Sequence, residues 1–354
     1  MKTLSNFFHK SRKEILQNKY LRNLKYEDTL IYLNSLNQFK FSFNNLNFSD
    51  RPLIQPRGGF SSITKQQKLN VELEKAGADI IPLTIDSFTR LNDYEGVEKV
   101  LSDENKLNKE ILNGYPLVNH GYEKTREILS KINLPISLRH GTADARILVE
   151  HALASGITDI EGGGISYCLP YTRKIPVEKS LLYWGYVDEL CSFMSTNKKL
   201  IMRESFGVLT ATLVPPLIII IVEILELLMS AQKGIKAFMM TFAQTGSLVQ
   251  DIVISNVLRM ISEKYLSKYD FNLDILKIGY HHWMGPFPHN FDNSNALIIQ
   301  GTLNAALIKA DKVIIKTKFE SHSIPTIEAN CEATKSVKYM LDIFKIKDTF
   351  TNEE

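Results

Sequence analysis

Three arginines stand in short polar motifs that could bind a small anionic molecule. They are Arg57 in QPRGG, Arg90 in FTRLN and Arg139 in LRHGT. A guanidinium group is always charged, and its planar fork matches a carboxylate through two parallel hydrogen bonds. Any one of the three could instead form a structural salt bridge. Together they favour a substrate that is held at both ends, which indicates a small dicarboxylate.

An acidic residue followed by three glycines is the second candidate feature. Glu161 begins the run EGGGISY, and glycines allow a turn with positive φ and the close approach of a ligand. Tyr167 and Tyr171 each offer a flat apolar wall and a hydroxyl donor. Two interpretations stay open: a pocket for the same substrate, or a nest of backbone N–H groups that binds a phosphate.

Histidine and lysine positions bear on metal and covalent chemistry. His281 and His282 are adjacent, so in a strand they face opposite sides. Because no H-E-x-x-H or comparable spacing occurs, we predict that this chain supplies no metal site. The absence of G-x-S-x-G argues against a covalent serine hydrolase. Lys316 could form either a Schiff base or a salt bridge with Glu320, four residues further on.

The elements that would position these residues alternate along the chain. Short apolar runs alternate with longer helical stretches, which is typical of βαβ units and a parallel sheet. Nine runs are strand candidates, one more than a barrel needs: 52–59, 79–87, 115–121, 135–141, 159–164, 200–207, 237–246, 276–285 and 312–320. The candidate residues follow the C-terminal ends of these runs, where a (β/α)8 barrel has its active-site mouth. A doubly wound dinucleotide fold is disfavoured because no G-x-G-x-x-G turn follows the first run.

The same pattern predicts how the chain is organised. Residues 1–50 are expected to form an N-terminal helical extension, with helices over Ser5–Lys19 and Tyr26–Asn37. The (β/α)8 catalytic barrel is expected over 51–345, followed by a short polar tail over 346–354. The prediction is therefore an α/β protein built on a TIM barrel.

Charge and cysteine content exclude several classes of protein. The chain has 42 basic and 39 acidic residues, a net charge of +3 that is too balanced to indicate nucleic-acid binding. Cys168, Cys191 and Cys331 are far apart, so neither a disulfide framework nor a zinc knuckle is predicted. The first residues lack the long apolar segment of a signal peptide. A reduced, cytoplasmic compartment fits these features best.

One apolar segment raises the question of a membrane. The run over 217–229 reads LIIIIVEILELLM, and Glu223 and Glu226 interrupt it about one helical turn apart. The uninterrupted part is far shorter than the roughly 20 apolar residues that a spanning helix needs. We therefore expect a soluble helix that is buried on most sides, and no membrane association.

At this point the motifs resemble those of a known family, the epsilon subunits of coenzyme-B12-dependent glutamate mutase. In chain order they are QPRGG, PLTIDSFTR, NGYPLVNHG, LRHGTADAR, EGGGISYCLPY, EKSLLYW, RESFGVLTATLVPP, HHWMGPFP and KVIIKT with IPTIEAN. The likeness also includes FHKSRKEILQ near the start and covers nearly the whole chain. It implies a (β/α)8 barrel that interconverts L-glutamate and threo-3-methyl-L-aspartate, a reaction catalysed by an isomerase. Adenosylcobalamin would supply the radical that takes hydrogen from the substrate before a glycyl fragment migrates.

The resemblance also assigns roles to individual positions. It implies that Glu161 is catalytic and lies near the substrate ammonium group. The implied substrate-binding residues are Arg57, Arg90, Arg139, His140, Glu161, Tyr167 and Tyr171. The implied contacts to adenosylcobalamin are Gly59, Asn113, Pro170, Phe287, Lys316, Glu320 and Ile324.

A partner subunit follows from the resemblance as well. The family uses a small cobalamin-binding sigma subunit with a D-x-H-x-x-G motif, and this chain has no such motif. A homodimer of this chain within a heterotetramer is the implied assembly. The chain departs from the family in 217–246 and in its C-terminal region, which we expect to be shortened. Two alternatives therefore stay open: a non-catalytic paralogue that binds a partner or dicarboxylate, and a B12-dependent mutase for another dicarboxylate.

Overall fold

Eight parallel strands form the centre of the computed structural model, which describes residues 3–21, 23–41, 51–107, 109–168, 172 and 174–348. They pair in the order β1-β8-β7-β6-β5-β4-β3-β2. The strands are β1 (Leu53–Gln55), β2 (Ile81–Thr84), β3 (Ile136–Arg139), β4 (Asp159–Glu161), β5 (Met202–Ser205), β6 (Ala237–Ala243), β7 (Ile275–His281) and β8 (Lys312–Ile314).

Backbone hydrogen bonds also join the two ends of this sheet. The amide of Asp79 donates to the carbonyl of Ile54 at 2.9 Å, and the amide of Thr84 donates to the carbonyl of Gly58 at 3.1 Å. Because β1 and β2 are the outermost strands in the pairing order, these bonds bring the sheet round into a nearly closed barrel. The predicted (β/α)8 fold is confirmed.

Helices follow the strands around the outside of the barrel. They are α1 (Asn6–Ile15), α2 (Tyr26–Ser35), α3 (Ile63–Ala76), α4 (Ser87–Arg90), α5 (Tyr94–Leu107), α6 (Leu117–His120), α7 (Tyr122–Leu129), α8 (Arg146–Ser155), α9 (Val177–Met194), α10 (Pro216–Gln232), α11 (Leu248–Lys268), α12 (Phe291–Leu307) and α13 (Ile327–Asp348). Local signals set several ends: the side chain of Ser62 accepts from Lys65 N at the start of α3, and Gly77 ends it at φ 96°. Within the described ranges, the connection after β2 carries four helices, while each other strand is followed by one α-helix.

The predicted strand over 115–121 is wrong. Tyr115 makes one isolated parallel bridge with Ile85, and the chain then turns into the short helix α6. Pro116 follows at once, and proline has no N–H group with which to continue a ladder. The other eight candidates correspond to the eight strands.

Strand alternation sorts side chains between the barrel interior and the helical layer. Glu204 in β5 is fully buried and contacts Lys312 of β8, whereas its neighbour Arg203 pairs with Asp188 of α9. In the same way, the hydroxyl group of Tyr280 in β7 donates to Asp251 of α11 at 2.6 Å. The period of two therefore directs a charged set of side chains inward, towards the C-terminal mouth.

Helix α10 buries two glutamates together with only part of its apolar run. Glu223 and Glu226 are buried, with 0% and 3% of their surface exposed, while Leu217, Ile221 and Leu225 are 44–68% exposed. The expectation of burial on most sides is thus only half right, because polar partners beneath the helix outweigh the apolar face. Among the described residues, no helix combines the length and apolarity needed to cross a bilayer.

The N-terminal helices are joined to the barrel by buried polar contacts. The guanidinium group of Arg12 in α1 pairs with Glu150 of α8 at 2.9 Å, and the hydroxyl group of Tyr186 donates to the same carboxylate. The ring of Phe8 stacks on Tyr186, with 4.4 Å between the ring centroids. The N-terminal helix α1 is therefore packed against helices α8 and α9.

Candidate active site

Two carboxylates hold Arg139 at the mouth of the barrel. This arginine ends β3, and its Nη1 atom contacts Glu161 of β4 and lies 3.1 Å from Oε2 of Glu204 in β5. Parallel pairing of these three strands places the residues side by side. The aromatic ring of Phe206, just after β5, lies 5.6 Å from the guanidinium carbon. One guanidinium group and two carboxyl groups thus form the centre of the site.

The other two predicted arginines lie around the same carboxylate. Both Arg57, two residues after β1, and Arg90, the last residue of α4, act electrostatically to lower the pKa of Glu161. Arg90 is positioned by the helix N-cap residue Asp86 and by its own Nε–H, which donates to the carbonyl of Ile85 at 2.7 Å. Three arginines from separate segments are thereby brought together, as the sequence predicted.

Arg57 differs from its companions in its contacts. Within the described residues, its guanidinium group makes no hydrogen bond or ion pair, although its charge reaches Glu161, His281 and Lys316. A half-buried guanidinium without a protein partner retains its five donors for a bound anion. Arg57 can therefore bind a carboxylate without first releasing any partner among the described residues.

Burial gives Glu161 unusual acid–base properties. With 3% of its surface exposed, its pKa is raised well above the usual carboxyl range by burial and by the neighbouring charge of Glu204. Lys312, Arg57 and Arg90 oppose that shift. The hydroxyl group of Tyr167 donates a hydrogen bond to Oε1 of Glu161. The site therefore contains a carboxyl group whose charge state responds to what binds beside it.

A buried ion cluster lies beneath these residues in the barrel. The ammonium group of Lys312 lies 2.6 Å from Glu204 and 3.5 Å from Asp159, and all three side chains are fully buried. Burial raises the pKa of Asp159 to about 6, against the opposing charge of Lys312. Burial also acts to raise the pKa of Glu204, but Lys312 and Arg139 together hold it below the usual value. Glu204 is thus an anion that fixes both cations.

His140 supports Glu161 from the side. Its Nδ1 accepts from the amide of Thr142 at 3.2 Å, so its Nε2 carries the proton and donates to the carbonyl of Glu161 at 2.8 Å. Burial, with the charge of Arg90 next in size, lowers the pKa of His140 to about 3. A neutral imidazole with both nitrogens engaged holds the backbone of Glu161 in place.

The glycine turn after Glu161 is occupied by a carboxylate of the chain itself. The amides of Gly164, Ile165 and Ser166 all donate to Glu226 of α10, at 2.8–3.2 Å. The nest of N–H groups expected for a phosphate is therefore already filled. This contact favours the substrate-pocket interpretation of EGGGISY over the phosphate interpretation.

A second group of side chains lies across the mouth, on the β7 and β8 side. Nζ of Lys316 lies 3.0 Å from Glu320 and 5.0 Å from the centre of the Phe287 ring, so the salt-bridge alternative for Lys316 is the one observed. His281 stacks on Phe206 at 4.9 Å, and its Nδ1–H donates to the carbonyl of His282. Its Nε2 atom, buried, has no hydrogen-bond partner among the described residues. This nitrogen can accept a hydrogen bond from a bound molecule.

The remaining predicted residues are less closely grouped. Gly59 packs so tightly on Thr84 that a Cβ atom would lie 2.3 Å from its carbonyl oxygen. The side chain of Asn113 accepts from the amide of Ser87 at the start of α4, and Ile324 is 55% exposed at the rim. Tyr171 and Pro170 lie outside the described residues.

Four further residues complete the site: the strand-end pattern placed Glu204 at the barrel mouth without a specific role, and Lys312, Phe206 and Glu226 were not assigned to the site from the sequence. Glu204 and Lys312 form the ion cluster, Phe206 lies beside Arg139, and Glu226 fills the glycine turn. One signal was available for the lysine: it opens the run KVIIK, where alternation places it on the same face as Lys316. No comparable signal in the sequence indicates that Glu226 accepts from the amides of the glycine turn.

Comparison with known proteins places this arrangement in a family. The family model described as methylaspartate mutase E chain matches residues 34–354. The glutamate mutase epsilon subunit of Desulfitobacterium hafniense is 36% identical over 98% of this chain and 73% of its own length. That of Treponema denticola is 37% identical over 96% of this chain and 71% of its own length. A solved phospho-2-dehydro-3-deoxyheptonate aldolase from Thermotoga maritima, 11% identical, covers 84% of this chain and 70% of its own with a TM-score of 0.48.

Proposed function

The chain belongs to the methylaspartate mutase E chain family, and on that basis we propose that it is the large subunit of an adenosylcobalamin-dependent glutamate mutase. The proposed reaction interconverts L-glutamate and threo-3-methyl-L-aspartate by moving a glycyl fragment between neighbouring carbons. This rearrangement would make the chain an isomerase of the intramolecular transferase type.

One observation supports this proposal more than any other: three arginines surround one buried acid. L-Glutamate carries two carboxylates and one ammonium group. Arg57, Arg90 and Arg139 supply the forks that match two carboxylates, and Glu161 supplies the anion that matches the ammonium group. A buried mouth with cationic and acidic groups favours a molecule whose carboxylates meet the cations and whose ammonium group meets the acid.

The role proposed for Glu161 follows from its raised pKa. In the free site, burial favours the protonated form, with the charge of Glu204 adding to the effect. An arriving ammonium group favours the carboxylate form, so binding is expected to be coupled to loss of a proton from Glu161. The hydrogen bonds from Tyr167 and the backbone support from His140 keep that carboxylate oriented.

The β7–β8 side of the mouth suits an organic cofactor. Lys316 and Glu320 form a charged pair that can bind ribose hydroxyl groups, Phe287 offers an aromatic wall, and His281 has an unpartnered acceptor. Adenosylcobalamin, when bound, supplies an organic radical that takes a hydrogen atom from the substrate. The proposed further contacts are Gly59, Asn113, Pro170 and Ile324. The chain's own task would be to hold the substrate below that group and exclude water.

A second subunit is part of the proposal. We expect a small sigma subunit with a D-x-H-x-x-G motif to carry the cobalamin, and two copies of each chain to form a heterotetramer. A cytoplasmic location fits three cysteines that the structure leaves unpaired. The sigma subunit, the heterotetramer and the location are proposals that go beyond family membership. The need for the sigma subunit is tested in the same experiment as the activity.

Reconstitution tests the proposed function. The purified chain is mixed without oxygen with a sigma subunit, adenosylcobalamin and L-glutamate, and the mixture is assayed for 3-methylaspartate and for a Co(II)-coupled radical signal. We expect both signals, and neither without the sigma subunit. The Glu161→Gln variant is expected to turn over much more slowly. Binding of L-glutamate without turnover would support the alternative of a non-catalytic paralogue. Turnover of another dicarboxylate, with no turnover of L-glutamate, would support a B12-dependent mutase for that dicarboxylate.

A further inference from the structure

Glu226 places a carboxylate under the glycine turn from outside the barrel. Its Oε1 atom accepts from the amides of Ile165 at 2.8 Å and Ser166 at 2.9 Å, and from the hydroxyl group of Ser166 at 3.2 Å. Its Oε2 atom accepts from the amide of Gly164 at 3.2 Å. Four donors thus converge on one buried carboxyl group that the proposed reaction does not use. Burial raises the pKa of this group, while the amides of Ser166 and Ile165 favour its ionised form.

The fit between this carboxylate and the turn is close. A Cβ atom on Gly163 would lie 2.3 Å from the carboxyl carbon of Glu226, so no side chain can stand there while the carboxylate keeps its place. Successive amide groups form a concavity that favours an anion, and hydrogen bonds to a charged acceptor are stronger than neutral ones. The position of the Glu226 carboxyl group therefore depends on a glycine at 163, and the amides of the turn depend on that carboxyl group as their acceptor.

The opposite edge of the same turn is held by a cation. The guanidinium group of Arg203 donates to the carbonyl of Gly162 at 2.8 Å and pairs with Asp188 of α9 at 2.6 Å. The carbonyl group of Gly162 thus faces a buried guanidinium group, while the amides of the turn face the carboxyl group of Glu226. The backbone between Glu161 and Tyr167 is fixed from both sides.

The turn over 162–166 joins Glu161 to Tyr167, and the side chains of these two residues are in contact. Tyr167 follows Ser166 directly, its hydroxyl group donates to Glu161, and its ring packs edge-on against Trp184 at 6.0 Å. We propose that Glu226 is a positioning residue: its carboxylate holds the turn over 162–166 so that Tyr167 stays bonded to Glu161 at the substrate pocket. This inference deepens the proposed function and rests on it for the identity of the substrate.

Glu223 provides a matched control on the same helix. It lies three residues before Glu226 and is equally buried, but it accepts from the hydroxyl group of Ser205 at 3.3 Å and the amide of Thr241 at 3.2 Å. Neither of these partners belongs to the turn. Burial raises the pKa of Glu223 well above the usual range, with Glu226 adding to the shift. Burial raises the pKa of Glu226 as well, so the two variants differ chiefly in the groups that the carboxyl group holds.

Amide hydrogen exchange on the chain alone tests the anchoring directly. In the Glu226→Gln variant, one amide donor must meet an NH2 group, so exchange at Gly164, Ile165 and Ser166 should accelerate by at least about tenfold, as loss of a charge-assisted bond implies. The Glu223→Gln variant should leave those three amides unchanged. Unchanged exchange in Glu226→Gln, or equal acceleration in both variants, would overturn the proposal.

Two milder variants keep the test decisive if Glu226→Gln does not fold. Gly163→Ala pushes the carboxylate away without removing it and should accelerate the same amides. Ser166→Ala removes one of the four donors and should give a smaller acceleration. Protection that survives in both variants would contradict the anchoring.

Turnover separates positioning from folding. In the reconstituted enzyme, Glu226→Gln should lower kcat by roughly ten- to a hundredfold through misplaced groups, while the adenosylcobalamin concentration for half-maximal activity stays the same. Glu223→Gln should retain its kcat. A wild-type chain that shows no turnover would count against the proposed function alone, because the exchange result needs no substrate. Accelerated exchange with an unchanged kcat would overturn the positioning role.

Discussion

The Oε2 atom of Glu204 lies 3.1 Å from the Nη1 atom of Arg139, and both side chains are buried in the barrel. Lys312 lies on the other side of the same carboxylate at 2.6 Å. The guanidinium fork that we propose for substrate binding is therefore held in place before substrate arrives. Preorganisation of this kind lowers the ordering cost of binding.

Replacing Glu204 with glutamine should destabilise the fold. The change leaves Lys312 and Arg139 with one anion fewer in a buried site, and breaking a buried pair typically costs about 3–5 kcal/mol. Urea denaturation followed by circular dichroism measures the free energy of unfolding. Glu223→Gln is the matched control, and equal stability of the two variants would contradict the role given to Glu204.

Replacing Arg90 with lysine should weaken binding of L-glutamate. Lysine keeps the charge but loses the fork, and it cannot reproduce the bond from Nε to the carbonyl of Ile85. Titration calorimetry should show a loss of about 1.5–3 kcal/mol in binding free energy, the range for hydrogen bonds to charged groups. An unchanged affinity would remove Arg90 from the substrate site.

Affinity for L-glutamate should rise with pH. The ammonium group of the substrate needs an ionised Glu161, whose pKa is raised by burial and by Glu204. Below that raised pKa the carboxyl group is protonated, so affinity falls by up to about tenfold for each pH unit lost. The Glu161→Gln variant should show a flat profile over the same range. A flat profile in the wild type would show that Glu161 does not face the ammonium group.

Acid should destabilise the fold through its buried histidines. Burial and the charge of Lys316 lower the pKa of His282 to about 3, whereas an unfolded histidine titrates near 6.5. Between those values the unfolded chain holds the extra proton, so the free energy of unfolding falls by about 1.4 kcal/mol per pH unit as pH drops. His282→Gln should flatten the fall between pH 6 and pH 5 by about that amount.

A matched change at an exposed histidine controls this experiment. His289 lies at the surface, and His289→Gln should leave the pH dependence of unfolding as it is in the wild type. If the two variants behave alike, the acid sensitivity does not come from the buried imidazole.

Sequence periodicity placed the eight strands and the residues near their ends, but it could not separate them from the false candidate over 115–121. Arg57, Arg90 and Arg139 could be grouped because the C-terminal ends of parallel strands meet at one mouth. The pairing of Glu204 with Lys312 could not be predicted, since it depends on the barrel closing and on which side chains meet across it.

Helix α10 shows a second limit. Its apolar run suggests that leucine and isoleucine face inward, and Ile219 and Leu227 do so. Glu226 is buried beside them because the amides of the glycine turn lie beneath it. Hydrophobic periodicity assumes an apolar surface under the helix, and here that surface has backbone donors. The orientation of α10 was therefore beyond a pattern that considers the helix alone.

The most direct test of the account follows one labelled carbon. L-Glutamate with ¹³C at C3 is incubated with the chain, a sigma subunit and adenosylcobalamin, and ¹³C NMR is recorded over time. Migration of the glycyl fragment from C3 to C4 turns the labelled methylene into the methyl group of 3-methylaspartate, so we expect a methyl signal to grow as the methylene signal declines. A methylene signal that persists while the chain demonstrably binds L-glutamate would contradict the proposed mutase activity.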